Sequence, residues 1–199
     1  MNNTGRQPLV ALIDYQAGNL RSVSNALKKF GAQVLIASDV SEINTADAMV
    51  FPGQGSCPTS MDILRSNGLD KSIIEFIDSG KPFLGVCLGL QLLLERSDEG
   101  DQDCLGVFEG NVIRLPGNQK IPHMGWNRVD LDTDHQVFKH LPDDPFFYFV
   151  HSYYADPSDL DIVCGKTNYG LEFCSAIHFK NVIAVQFHPE KSGDTGLII

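Results

Sequence analysis

The chain of 199 residues is 43% hydrophobic and 20% charged, with a formal net charge of −10 at pH 7. This length and composition predict one globular domain, residues 1–199, and exclude a disordered chain. The net charge, with no cluster of Lys or Arg to offset it, argues against nucleic acid or a membrane as a partner. No stretch approaches the roughly 20 apolar residues of a membrane span, and residues 1–8 lack the apolar core of a signal peptide, so a cytoplasmic protein is expected.

Strands and helices alternate through the first half of the sequence. Apolar runs predict buried strands at 9–13, 33–36, 48–51 and 83–86, and helical spacing predicts helices at 20–30 and around 73–77. Such βαβ units predict an α/β fold with a mainly parallel central sheet flanked by helices, in which chemistry lies at the carboxyl ends of the strands. In the C-terminal half, short runs between turn residues predict antiparallel strands at 112–114, 146–150, 162–163, 174–178 and 182–185.

The segment 81–95 carries the clearest chemical signal. Cys87 stands between Gly85 and Gly89 at the end of a predicted strand, and a helix is predicted over 88–95. This spacing is typical of a nucleophile elbow, in which a strained turn lifts the nucleophile above the sheet. Free N–H groups at the start of the following helix favour thiolate over thiol. Cys87 is therefore predicted to be a nucleophile, against the alternative of a small buried core residue.

The cysteines indicate neither a metal site nor a disulfide framework. They include no C-x-x-C pair and are expected as free thiols: Cys57, Cys87, Cys104, Cys164 and Cys174. Cys57 is the competing nucleophile, but it follows a loop and precedes Pro58, so it is predicted to be a helix N-cap residue instead. No metal or other cofactor is expected.

A thiol nucleophile needs a base, and six histidines are candidates: His123, His135, His140, His151, His178 and His188. His188 is preferred because it follows the predicted strand 182–185 and lies two residues before Glu190. In an extended segment such residues project to the same side, so Glu190 can orient the imidazole and stabilise its cation. The alternative is a turn residue beside a solvated carboxylate. His135 and His140 lie in an acidic, turn-rich stretch and are predicted to be surface residues.

An acyl-transfer site also needs donors for a developing oxyanion. One is predicted to be the backbone N–H of Leu88, which follows the nucleophile. Another is expected from the loop Gly53-Gln54-Gly55, whose glycines let the backbone approach a ligand closely. The alternative for this loop is a simple tight turn.

Two motifs together resemble the class I (triad) glutamine amidotransferases: Gly85-Val86-Cys87-Leu88-Gly89-Leu90-Gln91 and His188-Pro189-Glu190. The resemblance spans residues 9–197 and implies a flavodoxin-like fold. Three further segments are similar to the glutaminase subunits of imidazole glycerol phosphate synthase: PHMGWN at 122–127, YFVHSYY at 148–154 and HPEKSG at 188–193.

The resemblance also implies a reaction. Cys87 attacks the side-chain carboxamide of glutamine, His188 protonates the departing ammonia, and water hydrolyses the glutamyl thioester. The same resemblance implies that Gln91 and Glu99 hold the backbone groups of glutamine, and that the pocket is lined by His151, Ser152 and Tyr153.

The fate of ammonia predicts a partner. In neutral water ammonia becomes ammonium, which is no nucleophile, and the sequence contains no P-loop or dinucleotide fingerprint of a second catalytic domain. In the resembled family the partner is a (β/α)8-barrel cyclase, which forms imidazole glycerol phosphate and AICAR in histidine biosynthesis, so a heterodimer is implied. Met124 and Trp126 are predicted at this interface rather than in the core. Lys191 is expected to pair with an acidic cyclase residue; its alternative is a solvated lysine.

Gln54 departs from the resembled family, which commonly has a small aliphatic residue there, so the loop's readiness to reorient can differ. We expect the loop to be misaligned until the loaded partner binds. A paralogous pair that amidates a cell-surface sugar precursor is an alternative with the same glutaminase chemistry. A non-catalytic scaffold is disfavoured because Cys87, His188 and Glu190 are all present.

Overall fold

The computed structural model describes residues 6–16, 19–132 and 135–199. Its helices are α1 (Leu20–Lys29), α2 (Val40–Asn44), α3 (Cys57–Ser66), α4 (Leu69–Asp78), α5 (Leu88–Gln91) and α6 (Gly193–Gly196). Its strands are β1 (Leu9–Ile13), β2 (Gln33–Ala37), β3 (Ala48–Phe51), β4 (Phe83–Val86), β5 (Arg96–Ser97), β6 (Gln102–Asp103), β7 (Gly110–Arg114), β8 (His123–Arg128), β9 (Asp130–Leu131), β10 (Phe146–His151), β11 (Tyr153–Pro157), β12 (Val163–Asn168), β13 (Glu172–Phe179) and β14 (Val182–Val185). Within the described ranges, no helix is long and apolar enough to cross a membrane.

Five parallel strands form one side of the main sheet, in the order β2-β1-β3-β4-β14 from the edge strand β2 inward. The four strands predicted in the first half are confirmed to within one residue, since each is a short apolar run between turn residues. The prediction of an antiparallel strand at 182–185 is correct on one side only: β14 pairs antiparallel with β13 but parallel with β4, with Val185 opposite Val86. The segments after β4 and β14 therefore leave the sheet side by side at one edge.

Helices pack on both faces of this sheet because side chains alternate along each strand. On β1, Val10 and Leu12 pack with Val23 of α1. Ala11 and Ile13 point into the opposite core, which contains the buried side chains of α3 and α4. This arrangement confirms the predicted α/β architecture.

The C-terminal half adds antiparallel strands, as predicted. β13 pairs antiparallel with β14, β11 and β12, and β11 pairs antiparallel with β7. β8 and β10 form a separate antiparallel pair, called here the β8–β10 ribbon. Its register sets Tyr148 opposite Trp126 and Val150 opposite Met124. The predicted strand at 162–163 is partly wrong, because Leu160–Ile162 forms a 3-10 turn and β12 begins at Val163.

The helix after the elbow is shorter than predicted, since α5 ends at Gln91 rather than near Glu95. Three backbone carbonyls that would continue it accept instead from a distant loop: Leu92 from Leu105, Leu93 from Phe108 and Leu94 from Gly106. The loop ends the helix by competing for its acceptors. A helix of one turn has a small macrodipole, so the elbow offers Cys87 local N–H groups rather than the field of a long helix.

Candidate active site

Cys87 occupies a strained turn between β4 and α5. Its φ of 56° lies in the left-handed region that residues other than glycine rarely adopt. Its amide donates to the Val185 carbonyl of β14 at 2.7 Å. A Cβ on Gly89 would overlap the carbonyl of Phe51, and one on Gly85 would crowd β14. The two glycines therefore allow three neighbouring strands to close around the elbow.

His188 and Glu190 follow β14 and lie beside the elbow. His188 Nδ1 and Glu190 Oε1 are 2.9 Å apart, and the side chains are only 2% and 6% exposed. The sequence predicts an extended segment, but only His188 is extended; Pro189–Lys191 forms a 3-10 turn that folds the carboxylate back to the ring. Nε2 of His188 has no hydrogen-bond partner among the described residues, so this ring nitrogen is available to a ligand.

The surroundings of His188 favour its cation. Burial acts to lower the pKa of His188, but the neighbouring Cys87 and Glu190 outweigh burial and raise this pKa to about 9. The imidazolium is therefore the favoured form at neutral pH.

A cavity of about 390 Å³ opens at this edge of the sheet, lined by Cys87 and His188, with Glu190 behind the imidazole. Every residue that the sequence assigns to substrate binding also lines it: Gly53, Gly55, Leu88, Gln91, Glu99, His151, Ser152 and Tyr153. So do Lys191, which the sequence assigns to the partner interface, and three residues not assigned to the pocket from sequence: Gln54, Pro122 and Val150.

The glycine loop after β3 lies directly against the elbow. A Cβ on Gly53 would overlap that of Leu88 and lie 2.7 Å from the amide nitrogen of Gly89, so only glycine permits this approach. Gly55 has a φ of 106°, which also favours glycine. The backbone of this loop and the N–H of Leu88 thus border the same space above Cys87.

Tyr15 supports this loop, a role that sequence reasoning missed. It follows β1, is fully buried, and donates its hydroxyl to the Pro52 carbonyl at 2.7 Å. Burial raises the pKa of Tyr15 far above its usual value, with a smaller effect from Cys87, so the hydroxyl stays protonated as a donor. In the sequence, this role of Tyr15 is indicated by its position at the carboxyl end of the first parallel strand, the edge of the sheet where chemistry is expected.

Glu99 connects the cavity to the start of α3. Its Oε2 accepts from the amide of Cys57 at 2.7 Å. Cys57 is the first residue of α3, and the N-cap is Ser56, one position from the prediction. The Cys57 sulfur lies 3.4 Å from that of Cys104. Of the five cysteines, all of which the structure describes, only Cys87 lines the cavity.

Gln91 belongs to a buried chain of hydrogen bonds. Its Nε2 donates to the Tyr153 carbonyl at 2.7 Å and to Gln186 Oε1 at 3.0 Å. Both amide hydrogens are thereby engaged, so Gln91 offers a ligand only its carbonyl oxygen. Gln186, which sequence reasoning did not single out, is fully buried with its Nε2 3.6 Å from Cys87 Sγ.

His151 and His123 continue this chain as neutral rings. His151 Nδ1 donates to the Tyr153 carbonyl at 2.8 Å, and its Nε2 lies 3.0 Å from His123 Nδ1. Burial lowers the pKa of His151 to about 3 and that of His123 to about 4. Of the predicted surface histidines, His140 is exposed but His135 is partly buried against His178. Across the described ranges, no group of His, Cys, Asp or Glu is arranged to hold a metal ion.

Met124 and Trp126 project from the exposed face of the β8–β10 ribbon. They are 61% and 57% exposed, and Phe146 on the neighbouring strand is 51% exposed. Trp126 packs edge-on against Tyr148, with ring centroids 6.2 Å apart. Large apolar side chains gathered on one exposed face are typical of a docking surface. Val150, opposite Met124, also lines the cavity, so the cavity and this face share a strand.

Comparison with known proteins first gives the class. The family model for glutamine amidotransferase class-I matches residues 11–196. Solved structures with this fold include a glutamine amidotransferase (TM-score 0.75, 19% identity, 94% of each chain covered). They also include PurLQS from Thermotoga maritima (TM-score 0.73, 14% identity, 97% of this chain and 95% of that chain covered). The chain belongs to the class-I glutamine amidotransferases.

Curated relatives narrow the family. Imidazole glycerol phosphate synthase subunit HisH of Dehalococcoides mccartyi (strain CBDB1) is 46% identical over 190 residues, which cover 95% of this chain and 93% of the relative. The subunit of the same name from Methanothermobacter thermautotrophicus is 48% identical (95% and 94% covered), and that from Bacillus cereus (strain ATCC 14579) is 46% identical (96% and 91% covered). Within its class, the chain belongs to the HisH subunits of imidazole glycerol phosphate synthase.

Proposed function

We propose that this chain is the glutaminase subunit of an imidazole glycerol phosphate synthase in histidine biosynthesis, acting in the cytoplasm as a single domain over residues 1–199. It hydrolyses glutamine to glutamate and ammonia and passes the ammonia to a cyclase. One observation carries the proposal: Cys87 and the His188–Glu190 pair meet at the ends of adjacent parallel strands, on a cavity bordered by a glycine loop. Family membership supports the same reaction.

Cys87 supplies the nucleophile. Its thiolate attacks the side-chain carbonyl carbon of glutamine, and negative charge develops on the carbonyl oxygen. The N–H of Leu88 and an N–H of the loop 53–55 donate to this oxyanion. As the tetrahedral intermediate collapses, the His188 imidazolium gives its proton to the leaving nitrogen, which departs as ammonia and leaves a glutamyl thioester on Cys87.

Water completes the reaction. Neutral His188 removes a proton from water as the water attacks the thioester, and the imidazolium forms again. The carbon–sulfur bond breaks, Cys87 departs as thiolate, and glutamate leaves. The hydrogen bond from Nδ1 to Glu190 keeps Nε2 of the imidazole directed toward the reacting atoms in both steps.

Gln91 and Glu99 recognise the amino end of the substrate. Gln91 has only its carbonyl oxygen to offer, because both hydrogens of its amide are engaged with protein acceptors. Glu99 adds a carboxylate to the same cavity. Two acceptors suit the α-ammonium group of glutamine, which brings three donors. The backbone of Ser152 and Tyr153 completes this wall.

The partner is a (β/α)8-barrel cyclase that docks on the exposed face of the β8–β10 ribbon. Met124 and Trp126 are the apolar anchors of this interface, and Lys191, at the rim of the cavity, pairs with an acidic residue of the cyclase. Val150 connects the cavity with the docking face, because it lines the cavity and pairs with Met124 across the ribbon. Ammonia can then leave the cavity toward the partner without first meeting bulk water.

Replacing Cys87 by Ala tests this proposal. In complex with the cyclase, Cys87→Ala should lose glutamine-dependent formation of imidazole glycerol phosphate but keep synthesis driven by added ammonium salt at alkaline pH, because the thioester cannot form. Cys164→Ala, which lies outside the cavity lining, is the matched control and should keep both activities. Glutamine-dependent synthesis by Cys87→Ala would instead support a scaffold whose own site is inactive.

A further inference from the structure

Gln186 is a buried, uncharged polar residue beside the nucleophile. It directly follows β14, and its side chain is fully buried, as are those of Val185 and Phe187. A buried amide is stable only when its donor and acceptor are engaged, whereas an aliphatic side chain of similar length would fill this space without that requirement. The amide therefore indicates a role beyond packing.

A backbone carbonyl fixes the direction in which this amide points. The Tyr153 carbonyl can only accept, so the Gln91 atom 2.7 Å away is its nitrogen. The same nitrogen lies 3.0 Å from Gln186, which must present its oxygen there. The nitrogen of Gln186 then faces Cys87 Sγ at 3.6 Å. The sulfur therefore faces a hydrogen-bond donor, because the Tyr153 carbonyl fixes the orientation of both amides.

The Gln186 amide and the His188 imidazole have different roles in the reaction. Nε2 of His188 makes no hydrogen bond in the resting geometry, and it releases and regains its proton during each turnover. Among the described residues, Gln186 is the one side chain hydrogen-bonded to Cys87 Sγ, and its amide keeps both hydrogens throughout.

We propose that Gln186 is a further residue of the catalytic centre: its side-chain amide, oriented by Gln91, donates a hydrogen bond to the Cys87 sulfur and stabilises the attacking thiolate. The proposal rests on the glutaminase function proposed above. A hydrogen bond to an anion is stronger than one to a neutral sulfur, so it favours the thiolate before attack and again as the thioester breaks. Gln91 then has two roles, one toward Gln186 and one toward the substrate.

Gln186→Met tests the proposal, because Met keeps the length and burial of the side chain but cannot donate. The rate of Cys87 alkylation by iodoacetamide between pH 5 and 10, followed by mass spectrometry, reports the thiolate fraction without involving glutamine. We expect the midpoint of this profile to rise by about one pH unit. In the cyclase complex, kcat should fall on the order of tenfold, with KM changed by less than about threefold.

The matched control is Gln33→Met in β2, an exposed position that should behave as wild type in both assays. A folded Gln186→Met protein with the wild-type alkylation profile and kcat within about twofold of wild type overturns the proposal.

If the variant does not fold, an NMR titration of the wild-type protein tests the proposal instead. The side-chain NH2 resonances of Gln186 should shift as Cys87 titrates and stay fixed in Cys87→Ala, and resonances insensitive to that titration overturn the proposal. A wild-type complex that hydrolyses no glutamine rejects the glutaminase function instead, while the alkylation and NMR results still judge Gln186.

Discussion

Among single residues, His188 determines how the site responds to pH. An imidazole in an unfolded chain has a pKa of about 6.5, whereas the pKa of His188 in the folded protein is about 9. The folded state therefore binds this proton more tightly. The resulting contribution to stability is complete below about pH 6.5 and is lost as the pH rises through about 9. Activity should be lost in the same direction, because the departing ammonia needs that proton.

Replacing Glu190 by Gln should move the alkaline limit of glutaminase activity to lower pH. Gln can still accept from Nδ1 of His188, but it lacks the charge that helps to raise the pKa of His188. We expect kcat at pH 8 to fall on the order of tenfold while activity near pH 6 changes less. Rates of glutamate formation between pH 6 and 10 measure this. Glu172→Gln, whose ion pair with Lys166 is exposed, is the control and should leave the profile unchanged; an unshifted limit in Glu190→Gln would show that the carboxylate charge does not set it.

Among the elements, the loop after β3 depends on contacts from its neighbours. Tyr15 after β1 holds the Pro52 carbonyl, and Gly53 rests against the elbow. In Tyr15→Phe this carbonyl loses a buried donor, so we expect a loss of stability of about 1–3 kcal/mol and a fall in kcat on the order of tenfold. Chemical denaturation and steady-state kinetics measure the two effects.

Tyr169→Phe is the matched control for Tyr15→Phe. The Tyr169 hydroxyl also donates to a backbone carbonyl, that of Lys120, at 2.8 Å, but in a more exposed place away from the loop. We expect a smaller loss of stability and an unchanged kcat. Equal kcat values for Tyr15→Phe and wild type would mean that the loop keeps its position without this hydroxyl.

The β8–β10 ribbon should behave as a docking element. Trp126→Ala is expected to weaken binding to the cyclase by about 2 kcal/mol or more, since a large aromatic anchor is lost, while the fold stays intact. Calorimetric titration of the cyclase measures this. Leu160→Ala removes another exposed apolar side chain, 71% exposed and outside the ribbon, and should leave the affinity unchanged. Equal effects of the two substitutions would place the interface elsewhere.

At the scale of the whole molecule, features that depend on a local pattern could be predicted from the sequence, and features that depend on long-range contacts could not. The elbow strand and β1 are continuous apolar runs, so their positions follow from the sequence. The parallel pairing of β14 does not, because Val182–Val185 fits either direction and its partner β4 lies about a hundred residues earlier.

The residues of the active site show the same contrast between local pattern and long-range contact. Cys87, His188 and Glu190 belong to short motifs in which spacing itself carries the chemistry. Tyr15 and Gln186 have ordinary surroundings in sequence, and their contacts with Pro52 and Cys87 arise only when separate strands meet at one edge of the sheet. Positions fixed by tertiary contact alone leave no local pattern to detect.

We propose that the chain produces ammonia for a cyclase and that the partner controls this production. The most direct test is the rate of glutamate formation by the purified chain alone, with the cyclase, and with the cyclase plus its nucleotide substrate. We predict a low rate for the chain alone and a rise of at least about a hundredfold with the loaded cyclase, as the glycine loop aligns its N–H donors with the oxyanion. Equal rates in the three mixtures would contradict the account.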